Sequence, residues 1–326
     1  MSLPTPGDVH VNRPLTNLSV AYIQAAADYA ADRAAPVLGG ENQSDVFFKF
    51  DKDYWFRDSL KVRGPGAQAE EAGYGVSTDS YFAPVWSIRK KIDDQVRKNT
   101  DSPLDTDRNA MQFLSQLAMI RREKAFAAVA LTTGVWGSDV AGVSGSPGAG
   151  EVKQWNDAAS TPLEDVAAER SIQKKRTGLF PNVLVLGQEV WDKLKVHPDI
   201  LALVNGGATT INPALVTRQM VAQAMELEEI VVSGAVENTA AEGATFSGSF
   251  IAGKKGLLLH RNTAKTVEAV TAIRTFTWKG YAGNDLGVRV LKYREEPHFD
   301  VVEVESAFAH KIVASDAGTY FATLVA

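Results

Sequence analysis

Hydrophobic residues form two different patterns in the first half of the chain. The segments 45–50 and 74–82 are rich in aromatic and β-branched residues, which favour strands, and the glycines within 63–73 are typical of a loop. These features predict a long two-stranded hairpin. Over 105–131, apolar residues instead recur about every 3.6 positions, and the segment 102–105 before them gives a capping start. That pattern predicts a helix of about 40 Å.

The rest of the chain alternates strand and helix patterns before it ends in strands. Strands are predicted at 182–187, 229–233, 249–252 and 256–260, and helices from 161–164 onward, at 189–196 and at 212–225. Four more strands are predicted at 274–281, 288–294, 301–308 and 320–325. Strands, then helices, then strands again indicate an α+β fold with a discontinuous domain.

The first 44 residues predict an N-terminal arm. Prolines at positions 4, 6 and 14 keep the start extended, and Tyr22, Ala25 and Tyr29 then recur at helical spacing. One short helix has nothing nearby in the sequence with which to form a core. We therefore expect the arm to lie across another surface, with Tyr22 and Tyr29 as candidate contacts to a second subunit.

The predicted hairpin and its flanks carry many aromatic rings. They are Tyr54, Trp55, Phe56, Tyr81, Phe82 and Trp86. An isolated two-stranded ribbon is marginally stable in water, so these rings need a surface that covers them. Two alternatives remain open at this point: another subunit covers the rings, or they pack against the core of their own chain.

Composition and charge narrow the class of protein. The 326 residues carry a net charge of −5, which argues against a dedicated nucleic-acid binder because such a protein needs a basic surface. The chain has no cysteine, so disulfides and thiolate metal sites are excluded. No apolar run reaches the ~18 residues of a membrane span, and the first residues lack the pattern of a signal peptide.

Candidate catalytic and metal-binding residues do not combine into a site. No two of the five histidines stand at metal-ligand spacing. Asp105, Asp107 and Asn109 match ligands of a calcium-binding loop, but Ala110 stands where that loop needs glycine, and a helix start explains the two aspartates better. The charged turn 121–124 is interpreted first as a solvated helix face and second as an inter-subunit ion pair. We expect no enzyme activity, metal or cofactor.

Several short strings, taken in order, resemble the major capsid proteins of tailed bacteriophages. They lie at 11–20 (VNRPLTNLSV), 51–58 (DKDYWFRD), 74–79 (YGVSTD), 92–95 (IDDQ), 133–137 (TGVWG), 154–162 (QWNDAASTP) and 237–243 (ENTAAEG). The resemblance extends over nearly the whole chain, and the order of the strings matches the order of the segments described above.

The resemblance implies a phage capsid fold of the HK-ninety-seven type. Its parts would be an N-terminal arm at 1–44, an extended β-hairpin loop at 45–92, a spine helix at 105–131, a peripheral domain at 93–183 and 271–326, and an axial domain at 184–270. On this fold, Tyr54, Trp55, Phe56 and Arg57 are expected to anchor the loop on an adjacent subunit.

The resemblance also implies a structural function. The chain would self-assemble as hexamers and pentamers into the icosahedral head shell of the virion, in the cytoplasm of the bacterial host, around double-stranded DNA that it contacts non-specifically. A portal, a decoration protein and a scaffolding protein are the implied partners. The scaffold is expected to be separate because only about 40 residues precede the loop. The alternative is the shell protein of an encapsulin-like nanocompartment that encloses cargo enzymes.

Overall fold

The structure, a computed structural model, describes residues 23–50, 52–100, 105–204, 216–264 and 269–326. Within these ranges the helices are α1 (Ala31–Ala34), α2 (Lys52–Trp55), α3 (Asp94–Lys98), α4 (Thr106–Ala130), α5 (Pro162–Thr177), α6 (Gln188–Leu194), α7 (Pro198–Val204), α8 (Arg218–Ala224) and α9 (Lys279–Ala282). The strands are β1 (Val37–Gly40), β2 (Ser44–Phe50), β3 (Val76–Phe82), β4 (Val85–Asp93), β5 (Ser138–Val143), β6 (Glu151–Lys153), β7 (Val183–Gly187), β8 (Glu229–Ser233), β9 (Val236–Asn238), β10 (Gly248–Phe250), β11 (Gly256–Leu259), β12 (Ile273–Trp278), β13 (Val288–Glu296), β14 (Phe299–Ile312) and β15 (Gly318–Ala322). Short 3₁₀ turns lie at Ala26–Asp28 and Ser315–Ala317.

A six-stranded sheet forms the centre of the body, in the order β6-β5-β15-β11-β7-β8. Strand β7 is buried along its whole length, which explains its continuous apolar sequence. Successive side chains of a strand point to opposite faces. Leu184 and Leu186 therefore join one hydrophobic cluster, together with helix α6. Val183 and Val185 join a second cluster on the other face, together with Phe126 of α4.

A second sheet of five strands has the order β1-β12-β14-β13, with β4 also paired to β14. The long strand β14 pairs with β12 near its end, and with β13 and β4 along its first part. Helix α4 covers one face of this sheet, where Ala110 and Leu114 share a cluster with Ile92, Val302 and Val304. The N-terminal half of α4 thus packs on this sheet, and its C-terminal half packs on the central sheet.

The long helix predicted at 105–131 is confirmed as α4. Its N-cap is Asp105, whose carboxylate accepts hydrogen bonds from the backbone nitrogens of Asp107 and Arg108 at 3.0 and 3.1 Å. These bonds satisfy donors that a helix start leaves unpaired. The helix-start interpretation of the calcium-loop-like segment is therefore confirmed.

The predicted hairpin is also confirmed, although its boundary differs. Strands β2 and β3 pair antiparallel, with Val46 opposite Ser80 and Phe48 opposite Thr78. The segment 85–93, assigned by sequence largely to the same hairpin loop, instead forms β4 and pairs with β14 in the five-stranded sheet. Ile92 of β4 packs under α4 with Ala110 and Leu114, and the pairing of β4 with β14 ends the hairpin before β4 begins.

The sheets do not follow the expected division of the chain at 184 and 270. Strands β5 and β6 precede this range and β15 follows it, yet all three belong to the central sheet with β7, β8 and β11. Parallel pairing of β15 with β5 brings Thr319 opposite Ser138. The central sheet is therefore built from three separate parts of the chain.

The described part of the expected arm, residues 23–44, is integrated into the body of its own chain. Strand β1 pairs in parallel with β12, with Val37 opposite Thr275. Ala31 and Ala34 of α1 are buried in the second hydrophobic cluster. This finding corrects the expectation that the whole segment 1–44 lies across another surface. Residues 1–22 lie outside the described residues.

Candidate inter-subunit contact site

The hairpin formed by β2 and β3, here called the hairpin base, has two unlike faces. Alternation along the strands places Phe47 and Tyr81 on the inner face, and Val46 and Phe48 on the outer face. The Tyr81 ring stacks on Phe276 of β12 at 4.1 Å between centroids, and the Phe47 ring lies 5.6 Å from the same ring. These contacts fix the inner face on the five-stranded sheet.

An ion-pair cluster strengthens the same attachment. The Asp79 carboxylate lies 2.9 Å from Lys49 Nζ and 3.0 Å from Lys311 Nζ. Hydrogen bonding to Lys49, and then to Lys311, lowers the pKa of Asp79 to about 2. Since Lys311 belongs to β14, the cluster links the hairpin base to the body and also links its two strands.

The outer face of the hairpin base carries apolar side chains that nothing covers within the described chain. Val46 is 56% exposed and Phe48 is 61% exposed. Their cross-strand neighbours, Ser80 and Thr78, are exposed as well. Exposed apolar side chains that stand together on a thin element are typical of a protein interaction site.

The residues 52–75 that connect the two strands, here called the hairpin tip, expose further aromatic rings. Trp55 is 63% exposed and Phe56 is 64% exposed, and Tyr54 and Arg57 are also exposed. The structure therefore brings four of the six predicted contact residues together on one short segment. The Trp55 ring contacts Tyr74 at 5.8 Å between centroids, which joins the two sides of the tip.

The hairpin tip touches the body of its own chain at the end of helix α5. Lys52 forms an ion pair with Asp316 in the 3₁₀ turn before β15. The Phe56 ring lies over Gly178, the residue that ends α5 in the left-handed conformation with φ of 73°. The left-handed backbone favours glycine here, and a Cβ at this position would stand 2.8 Å from Phe56 Cζ, so the ring would have to shift.

The other two predicted contact residues are Tyr22 and Tyr29. Tyr22 lies outside the described residues. Tyr29 is only 9% exposed and packs inside its own chain, where burial raises the pKa of its phenol. The single chain therefore does not present Tyr29 on the surface formed by the hairpin tip, and its role as a contact to a second subunit stays a prediction.

A buried glutamate that sequence reasoning assigned to solvent holds this segment in place. Glu123 of α4 accepts hydrogen bonds from the backbone nitrogens of Ala30 and Ala31 at 2.9 and 2.8 Å, and from the Ser233 hydroxyl at 2.7 Å. Burial raises the pKa of Glu123. The neighbouring Arg122 is also buried and pairs with Asp32 at 2.7 Å.

The interpretation of 121–124 as a solvated face is therefore wrong for its two central residues. Glu123 lies three positions before Phe126 and thus on the same buried side of the helix. The helical spacing from Phe126 is the one sequence feature that indicates burial of Glu123, whereas its charge argues against burial. The outer pair does reach the surface, where the Arg121 guanidinium stacks 3.8 Å above the Trp86 ring.

An apolar groove of about 330 Å³ lies between α4 and the five-stranded sheet. Its walls include Trp86, Ile88, Leu117 and Phe308. Across the ranges that the structure describes, no group of three or more His, Cys, Asp or Glu side chains could hold a metal ion. Within the same ranges, no helix is long and apolar enough to cross a membrane.

The sequence is similar to phage capsid proteins. A family model described as phage major capsid protein E matches residues 150–309. The major capsid protein of Burkholderia phage BcepMu is 24% identical over 237 residues, which covers 69% of each chain.

Solved structures give the same result for the fold. A phage-related protein from Bordetella bronchiseptica matches with a TM-score of 0.65 at 18% identity, over 92% of this chain and 93% of that one. The mature capsid of bacteriophage PhiM1 matches with a TM-score of 0.60 at 12% identity, over 97% and 92%. The SrpI encapsulin of Synechococcus elongatus matches with a TM-score of 0.56 at 12% identity, over 100% and 98%.

The arrangement of helices and sheets matches the HK-ninety-seven-type fold of phage capsids. The resemblance noted in the sequence is thereby confirmed. The family model over residues 150–309 and the BcepMu relative both point to a major capsid protein of a phage, a structural component of the virion.

Proposed function

We propose that the chain self-assembles as hexamers and pentamers into the icosahedral head shell that encloses the double-stranded DNA of a tailed phage. The observation that carries this proposal is the hairpin: its inner face is fixed on the body, while its outer face and tip expose apolar side chains. The proposal that the chain forms a shell is supported by the mature capsid of PhiM1, which shares the fold.

The physical role of the hairpin follows from how closed shells are built. A closed assembly uses the same surface patches around every symmetry axis, so each copy must both present and receive the same element. Permanent interfaces typically bury more than about 2,000 Å² and are apolar at their centre. A hairpin that lies across a neighbour supplies such area without enlarging the body. Trp55, Phe56 and Arg57 are the proposed anchors.

The proposal includes partners beyond the chain itself. A portal and a separate scaffolding protein would set the geometry of assembly, and a decoration protein is a further candidate on the outer surface. The net charge of −5 suits a wall that does not bind the packaged DNA tightly, because strong phosphate contacts require a basic surface. Assembly would take place in the cytoplasm of the bacterial host.

The test compares assembly of the parent protein with two variants at Trp55. We expect Trp55→Ala to raise the concentration needed for particle formation at least about tenfold, as for an aromatic hot spot at an interface. Trp55→Phe keeps an apolar ring and should assemble much like the parent. Negative-stain microscopy and sedimentation measure the outcome. Equal particle yields for all three proteins would reject Trp55 as an anchor.

A nanocompartment shell is the second candidate, because the SrpI encapsulin matches the whole length of the chain. The contents of particles isolated from the native source distinguish the two functions. Nuclease-protected double-stranded DNA supports the phage head, and an enclosed enzyme supports the nanocompartment.

A further inference from the structure

The apolar groove beside α4, here called the α4 groove, lies between two rows of side chains. The row on the helix consists of Phe113, Leu117 and Arg121, which are four residues apart and share one face of α4. The row on β4 consists of Lys90, Ile88 and Trp86, which alternate along the strand and share one face of the sheet. At one end of the groove, Lys90 Nζ lies 5.7 Å from the centroid of the Phe113 ring. At the other end, the Arg121 guanidinium lies 3.8 Å from the centroid of the Trp86 ring.

The floor of the α4 groove is closed, whereas its rims are open. Val304, Ser306 and Phe308 of β14 form the floor and are at most 4% exposed. On the rims, Trp86 is 37% exposed and Phe113 is 53% exposed. The groove of about 330 Å³ has about twice the volume of a cavity of about 150 Å³, which holds one benzene molecule. The groove therefore has room for about two apolar side chains of a partner.

The two cations at the ends of the groove, Arg121 and Lys90, have no carboxylate partner among the residues that the structure describes. The cations beside them in the sequence are all paired: Arg89 and Lys91 with Glu295, Arg122 with Asp32, and Lys124 with Glu237. None of the described residues that line the groove is acidic. The groove thus offers only positive charge, although the chain has a net charge of −5. Charge complementarity therefore favours an acidic partner.

The contact of Arg121 with Trp86 prepares the guanidinium to bind a carboxylate. The indole covers one flat face of the guanidinium, and the N–H groups lie in the plane of that group. These N–H groups can donate two parallel hydrogen bonds to one carboxylate. Because the stacking already fixes the side chain, less rotamer freedom is lost when the carboxylate binds.

The distance between the two cations favours a helix as the partner. Phe113 and Arg121 stand at the two ends of the groove, about 12 Å apart along α4 at about 1.5 Å per residue. An extended strand spans this distance in about four residues and turns only one side chain into the groove between two terminal carboxylates. A helix spans it with acidic residues at i and i+7 and with two apolar residues, at i+3 and i+4, on the same face. The helix therefore fits a groove that has room for two apolar side chains.

We propose that the α4 groove binds an amphipathic helix of another protein, with acidic residues at i and i+7 and apolar residues at i+3 and i+4. One carboxylate binds Arg121, the other binds Lys90, and the two apolar side chains enter the groove between them. The inference goes beyond the proposed function, because the partner is not a copy of this chain. Binding to the unassembled subunit tests it whether or not shells form.

Two synthetic peptides probe the groove in the whole subunit. One is an alanine- and glutamine-rich helix of about 18 residues that carries Glu, Leu, Leu and Glu at i, i+3, i+4 and i+7. The other has Lys in place of both Glu. Fluorescence anisotropy of the labelled peptides measures both affinities. We expect the acidic peptide to bind at least about tenfold more tightly than the lysine peptide. Equal affinities would overturn the inference.

Arg121→Glu and its control Arg108→Glu make the same charge change on the same helix. Arg121 lines the groove, whereas Arg108 is exposed in the first turn of α4 and lies outside the groove. We expect Arg121→Glu to weaken binding of the acidic peptide about tenfold and to strengthen binding of the lysine peptide, which also shows that the variant is folded. Arg108→Glu should bind both peptides as the parent does. Equal effects of the two substitutions would assign the binding to overall charge instead of the groove and reject the proposal.

Photo-cross-linking locates the bound peptide. An acidic peptide with benzoylphenylalanine at i+3 is irradiated with the subunit, and the adducts are mapped by mass spectrometry. Adducts at Ile88, Leu117 or Phe308 are the expected products. Adducts confined to Val46 or Phe48, on the outer face of the hairpin base, would show that another apolar surface binds the peptide and would contradict the inference.

Self-association of the subunit tests the other occupant, a second copy of the chain. Sedimentation compares the parent with Arg121→Glu below the concentration at which particles form. We expect the two proteins to show the same state. Association of the parent that Arg121→Glu abolishes would assign the groove to a second copy and overturn the inference.

Discussion

Trp155 and Trp55 show how differently the body and the hairpin use the same residue type. Trp155 is completely buried, its indole donates to Asp165 at 2.9 Å, and its ring contacts Phe321 at 5.9 Å. Trp55 is 63% exposed on a helix of four residues. The core of the body therefore buries this ring completely within one chain. In the hairpin, the body covers only the side chains of the inner face, and the other apolar side chains stay exposed to a second surface.

The largest expected effect is on the stability of the body. Trp155→Ala removes a fully buried ring and should lower the free energy of unfolding by about 3–5 kcal/mol. Trp55→Ala should change it by less than about 0.5 kcal/mol, as for a surface position. Urea unfolding of unassembled subunits measures both values. The comparison fails if the two variants lose similar stability, since Trp55 would then belong to the interior.

Acid should weaken the body before it affects the hairpin. Burial, and to a lesser extent Arg122, lowers the pKa of His310 to about 4. The unfolded chain, with a histidine pKa near 6.5, then binds more protons than the folded chain between these values. Stability is therefore complete above about pH 6.5 and falls by on the order of 3 kcal/mol as pH drops to about 4. Asp79 stays ionised over this range because its pKa is about 2.

Comparison with His310→Gln isolates this effect. Glu123, whose pKa burial raises, contributes to the pH dependence with the opposite sign, but it does so in both proteins. We expect unfolding experiments from pH 7.5 to pH 4 to show a steeper loss for the parent than for His310→Gln. Parallel curves for the two proteins would mean that His310 is not buried in the neutral form.

A smaller loss of stability is expected for substitutions of Glu123, which holds the segment before α1. Glu123→Ala leaves the amides of Ala30 and Ala31 without their acceptor and should cost about 1–3 kcal/mol. Glu123→Gln keeps an oxygen for these amides and an amide group that can donate to Ser233, so its cost should be lower. Thermal unfolding compares the two, and hydrogen exchange at Ala30 and Ala31 locates the change. Equal losses for both variants would argue against the capping role.

Local patterns were sufficient to predict several of the main elements, and the resemblance suggested their arrangement. The hairpin, the helix over 105–131 and the closing strands each have a periodicity that a short window shows. The buried Glu123 and Tyr29 could not be predicted in the same way. Their burial depends on contacts between α4 and a segment about 90 residues away, and neither residue type indicates that contact by itself.

The central sheet was missed for a related reason. In this sheet β15, near the end of the chain, pairs in parallel with β5, which lies far before it in the sequence. No spacing rule specifies which distant strands become neighbours. The exposed tip residues Tyr54, Trp55, Phe56 and Arg57 were identified because aromatic rings on a thin hairpin are visible in the sequence itself. Sequence left open what covers them, and the structure leaves them largely uncovered in the single chain.

Hydroxyl-radical footprinting of the free subunit and of the assembled particle tests this difference most directly. The account predicts that Phe48 and Trp55 are oxidised in the free subunit and strongly protected in the particle, whereas Trp155 is unreactive in both. Equal oxidation of Phe48 and Trp55 in the two states would contradict it, because the hairpin would then remain uncovered after assembly.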